Sequence, residues 1–121
     1  MSNELETLAR RAVACKHWKW LPGMLYTQGG HGVRPVIATA PIIQGGGLPD
    51  LSDPATLGCL LALVREAWGQ PTIATRYSEY QDRGGEWDVP TPIEQNRMRD
   101  ILFFTGKTEA EALVAALEAA P

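Results

Sequence analysis

The sequence predicts an α+β domain: a small antiparallel sheet of about four strands, with two or three helices packed on one face. Three observations carry this. Two stretches have helical spacing and marked ends. Between and around them lie short, β-rich segments separated by glycine and proline turns. The chain, at 121 residues, is long enough for one domain with one core. The predicted order is α-β-β-α-β-β-(β)-α over a single domain, 1–121.

The central stretch, PDLSDPATLGCLLALVREAWG at 49–69, organises the rest. Asp53 stands where an N-cap belongs, and Pro54 takes the first helical position, where its missing N–H costs nothing. Gly69 falls at the C′ position and Pro71 prevents continuation. Leu57, Leu60, Leu61, Val64 and Trp68 recur on one face, widened by Leu63 and Ala67. Burying each large side chain is worth roughly 1.5–3 kcal/mol, so this helix should build the core.

A first helix is predicted over 3–16, with Asn3 and Glu6 in a capping arrangement and Leu5, Leu8, Ala9, Ala12 and Val13 on the buried side. Trp18 and Trp20 alternate around Lys19, so an extended segment would set both indoles on one face. Pro22-Gly23 reads as a turn and Met24–Thr27 as a short strand. A glycine loop at 28–32 leads to a returning antiparallel strand over 33–40, at a sheet edge because Pro35 cannot donate. Residues 41–48, with three consecutive glycines, read as a loop.

After the central helix, 72–80 alternates and is rich in Thr, Ile and Tyr. A loop at 81–85 and a strand over 86–89 complete a hairpin. Val89-Pro90-Thr91-Pro92 is expected to end the strand and start a helical turn. Residues 101–105 are read as a further strand or the end of that turn. Thr108 and Glu111 form a capping box for a last helix carrying Ala110, Leu113, Val114 and Leu117.

Composition bounds the function classes. Hydrophobic residues make up 45% and charged residues 21%, close to globular averages, which argues against disorder. No apolar run approaches the roughly 20 residues that span a bilayer, and the first residues lack the apolar core of a signal peptide. Cys15 and Cys59 are read as free, buried thiols, which points to an intracellular protein. The net charge of −3 divides unevenly: residues before Asp50 carry +3 and those from Asp50 onward −6. Such a split favours complementary faces and self-association.

Motifs for chemistry are sparse. Gly106-Lys107-Thr108 resembles the end of a phosphate-binding loop. That loop needs a glycine where this chain has Ile101, and capping by Thr108 explains the residues. Cys15, His17 and His31 lack metal-ligand spacing, so no metal or other cofactor is expected. Cys15, His31 and Asp50 carry no nucleophile signature. No catalytic residue is assigned.

The aromatic residues have two readings: core packing, with Trp18 or Trp20 closing the core beneath the first helix and Trp87 covering a hairpin, or a candidate interaction surface of Trp18, Trp20, Tyr26, His31, Tyr77 and Trp87. Trp and Tyr concentrate at protein interfaces. They also stack nucleic-acid bases, which would use Trp18, Trp20, Lys19 and Arg34, against the objection of a net negative charge. A small enzyme with its site in the glycine loops at 28–32 or 44–47 is the third reading.

Three blocks, LARRAVACKHWKWLPGM at 8–24, LPDLSDPATLGCLLALVREAWG at 48–69 and TEAEALVAALEAAP at 108–121, resemble small uncharacterised proteins encoded in tailed-phage and prophage genomes. The blocks coincide with predicted helices and carry no chemistry. The resemblance implies a phage accessory protein in the bacterial host cytoplasm. Its expected partner is another protein or a second copy of itself, with nucleic acid disfavoured and no membrane.

Overall fold

A computed structural model describes residues 3–27, 33–35, 47–82, 84–95 and 98–121. The fold is α+β, as expected, with three helices and two antiparallel sheets. Helix α1 (Asn3–Ala14) precedes strands β1 (Leu25–Thr27), β2 (Val33–Pro35) and β3 (Leu48–Pro49). Helix α2 (Pro54–Trp68) follows, then β4 (Arg76–Tyr80), β5 (Gly84–Gln95), β6 (Met98–Gly106) and α3 (Glu109–Ala119). The strands sort into two three-stranded sheets, β2-β1-β3 and β4-β5-β6, rather than one of four. No helix among the described residues is long and apolar enough to cross a membrane.

The α2 caps form as the sequence demands. Asp53 Oδ2 accepts from Thr56 N and from Thr56 Oγ1, each at 2.9 Å. Gly69 adopts φ +63°, a conformation that costs glycine nothing, and its N–H reaches back to the last turn. Leu60, Leu63 and Val64 are fully buried and Leu57, Leu61 and Trp68 half-buried, so the inward face is centred nearer Leu63 than the spacing implied. Thr56 is buried as well, and its hydroxyl accepts from Leu25 N at 2.9 Å, tying α2 to the first sheet.

Helix α3 supplies the densest burial: Ala110, Ala112, Leu113, Val114, Ala116 and Leu117. It packs on β5 and β6, on α2 and on α1. Thus α3, following directly from β6, lies on the larger sheet, while α2 flanks it. Trp68 Nε1 donates to Ala116 O at 2.8 Å, and Arg11 Nη2 on α1 pairs with Glu118 at 2.5 Å. The Gly106-Lys107-Thr108 triplet is a helix start. Thr108 Oγ1 accepts from Glu111 N at 3.1 Å, and Lys107 N donates to Glu111 Oε2 at 3.0 Å. A Cβ on Gly106 would stand 2.5 Å from Glu111 Cβ and 2.9 Å from Ala112 N, so only glycine lets the chain turn this tightly onto its own strand.

Two sequence expectations are overturned. Trp18 and Trp20 lie in unpaired chain between α1 and β1, not in a strand. Their rings meet edge to face, so aromatic packing fixes the segment without a ladder. Pro90 and Pro92 do not end a strand, and no helical turn follows. β5 runs through both, with Pro90 opposite Phe103 and Pro92 opposite Ile101. Prolines two residues apart leave their missing N–H groups on one edge. Pairing with β6 is unbroken across both, so that edge is the one turned away from β6. The expected strand over 33–40 is found at 33–35, antiparallel to β1. Residues 36–40, and the loops expected at 28–32 and through most of 41–48, lie outside the described residues.

Candidate functional site

The sequence-chosen aromatics fall into two groups. Trp18 packs on Trp20 at 5.3 Å between ring centroids, and Trp20 on Tyr26 at 5.9 Å, both edge to face. All three rest against the core and are half-buried. Trp18 Nε1 is buried without an acceptor among the described residues. Lys19 is ion-paired with Glu66 on α2, and Arg34 sits in β2 opposite Tyr26. Tyr77 and Trp87 form the second group on paired positions of β4 and β5, 5.3 Å apart. The Tyr77 ring lies over Gly85, filling the space a side chain there would need. His31 is outside the described residues.

The two thiols are half-buried and free. Burial pushes the Cys15 thiol up, and Glu118 adds to the shift. Burial likewise raises Cys59, with a further push from Asp53. Thiolate is the reactive form, so both groups are held in the unreactive one. Cys15 Sγ donates to Arg11 O at 3.4 Å, and the Asp50 carboxylate accepts from Ser52 N and Oγ. Among the described residues no group of three or more His, Cys, Asp or Glu could hold a metal ion.

Among the described residues the candidate Tyr77 is 49% exposed, but the longest exposed apolar run was not among the sequence candidates. It is the run Ile101, Leu102 and Phe103 on β6, exposed by 47%, 40% and 53%. Successive strand residues point to opposite faces, so exposure of all three leaves β6 open on both faces here, while Thr91, paired with Leu102 on β5, stays buried. The register sets Ile101 and Phe103 on one face with Pro92, Pro90, Asp88 and Arg76. Arg76 grips Asp88 with two nitrogens, Nε to Oδ1 and Nη2 to Oδ2, each at 3.1 Å. Its Cζ also lies 5.7 Å from the centre of the Phe103 ring. Opposite Phe104 on the helix-side face, Val89 is buried, and so is Thr91.

The edge of β6 is open too. Among the described residues no strand pairs with its outer side. Since the odd positions of β5 turn toward β6, Arg99, Ile101, Phe103 and Thr105 direct their main-chain groups outward. The Ile101 N–H accordingly donates to the Asp100 carboxylate at 2.8 Å and not to β5. The sequence signal for this edge is ILFF, an apolar run without inside–outside alternation, preceded by Arg-Asp and followed by Thr-Gly.

No family model matches the chain, and neither a curated protein nor a solved structure matches it.

Proposed function

We propose that this chain is a protein-binding module that docks through the outer face and open edge of the β5–β6 hairpin. The observation that carries this reading is the solvent exposure of three consecutive apolar residues, Ile101 to Phe103, on a strand whose outward N–H and C=O groups have, among the described residues, no strand beside them. Unpaired strand edges bind extended chain by main-chain hydrogen bonding, and neighbouring side chains supply selectivity. Arg76 beside Phe103 adds a cation and an aromatic ring, the residue types enriched at interface hot spots. The Trp18–Trp20–Tyr26 group serves the fold, its rings spent on each other and on the core.

The setting proposed for this activity is that of a phage or prophage accessory protein working in the bacterial cytoplasm. Its support is the resemblance of the three helical blocks, and the binding reading does not depend on it.

The test compares the tagged wild type with Phe103→Asp in nuclease-treated lysate of a bacterial host. A protein retained by the wild type and lost by the variant is the expected result. Equal retention by both would remove the hairpin from the proposal. Loss of every bound species on nuclease treatment would replace protein by nucleic acid as the ligand.

A further inference from the structure

We infer that the occupant of the β6 edge is a second copy of this chain, joined antiparallel, β6 to β6, about a two-fold axis at Leu102. The inference rests on the protein-binding reading and names its partner.

The three edges of the larger sheet differ in what they can accept. β4 is five residues long and bears Arg76 and Glu79. The outward edge of β5 beyond β4 has lost two donors to Pro90 and Pro92, a common protection against unwanted pairing. β6 spans nine residues, with an apolar centre and no proline. It is the edge left able to pair.

Its sequence is self-complementary in one register. With the axis at Leu102, Leu102 faces Leu102 and Ile101 of each copy faces Phe103 of the other. Aliphatic–aromatic pairs of this kind stabilise antiparallel strands. The outward groups at 99, 101, 103 and 105 then meet as hydrogen-bonded pairs, giving about eight main-chain bonds. The Ile101 N–H exchanges its Asp100 carboxylate for the Phe103 carbonyl of the other copy, and the carboxylate returns to water. In this register position 99 falls opposite Thr105. Neighbouring registers are worse. An axis at Asp100 opposes two carboxylates, an axis at Phe103 sets Ile101 against Thr105 and carries position 99 past the end of β6, and an axis at Ile101 sets Leu102 against Asp100. Like charges placed directly opposite are destabilising.

Sedimentation equilibrium of the full chain over rising concentration reads the outcome. The expected mass climbs from 13.2 kDa toward twice that value. Ile101→Pro removes an outward donor and leaves the β5 ladder whole. It should weaken the dimer roughly tenfold or more while melting like the wild type at concentrations where both are monomeric. Leu102→Cys, in a chain carrying Cys15→Ser and Cys59→Ser, should oxidise to a disulfide-linked dimer. The two Cα atoms would stand about 4.5 Å apart across a non-hydrogen-bonded pair, within disulfide reach. Thr105→Cys in the same chain should stay unlinked. A monomer up to about millimolar concentration overturns the second copy. The binding reading survives that result if the wild type still retains a lysate protein that Phe103→Asp loses, and falls with it if nothing is retained. A dimer indifferent to a folded Ile101→Pro overturns β6 as the interface. Cross-linking through Thr105→Cys but not Leu102→Cys overturns the axis at Leu102.

Discussion

Phe103 is 53% exposed, and the next residue, Phe104, is half-buried with its ring 5.8 Å from Trp68. One strand and one residue type thus have two environments. Chemistry does not decide between them; the face of the sheet does, with Phe104 turned toward Trp68 and Phe103 toward the outer face, and along the helix-side face the reach of α3 sets the next limit. Helix α3, with 11 residues, is about 16 Å long, whereas the 12 residues of β5 extend about 40 Å. The helix covers the base of the hairpin, where Val89 and Phe104 pair, and the strands continue past it. Beyond that point, burial no longer selects apolar residues, so an apolar run there calls for another explanation.

The sharpest way to break this comparison is to insert a charge on each side of it. Leu60→Asp places an unpaired carboxylate in the sealed core and should abolish the cooperative thermal transition. Ile101→Asp on the hairpin should melt with the wild type. A near-native melt for Leu60→Asp would mean that the core lies elsewhere. Next in size is the phenylalanine pair itself. Phe104→Ala should cost about 2–3 kcal/mol in urea unfolding, below the range for a fully buried ring, and Phe103→Ala under about 0.5. Equal losses would erase the boundary.

Gly106→Ala should cost about 1–3 kcal/mol, since the new methyl meets the α3 backbone where the hairpin base joins the helix. Asp53→Ala should cost about 1 kcal/mol through the lost α2 cap. The smallest effect is alkaline. An ordinary thiol ionises near pH 9, and burial holds Cys15 and Cys59 above that value. The folded chain therefore keeps protons that the unfolded chain releases. Their contribution is complete below about pH 9 and falls as pH rises through the folded values. Urea midpoints at pH 8 and 10 should converge in a Cys15→Ser, Cys59→Ser variant.

The helices were legible because their signals are local. Asp53, Pro54 and Gly69 mark α2 within a few residues, and Thr108 with Glu111 marks the start of α3. The β4–β5 turn was legible for the same reason. The long hairpin was not. A proline reads as a stop because it lacks a donor, and only the position of β6 reveals that the donors of Pro90 and Pro92 are not needed. Likewise sequence shows Trp18 and Trp20 as aromatic residues open to core packing or to binding, but not that their rings half-bury against each other and the core. The Ile101–Phe103 surface was hidden because sequence shows an apolar strand but not the register that turns Ile101 and Phe103 to the outer face.

The two prolines have a consequence for stoichiometry. A sheet able to grow at both edges adds copies without limit and yields fibres. Here the side of β5 beyond β4 lacks two donors, so strand addition would favour the β6 side. Two copies joined there as inferred would turn their proline-bearing sides outward, and the assembly would be complete at a pair. Restoring donors at 90 and 92 would open the filament route that this arrangement closes.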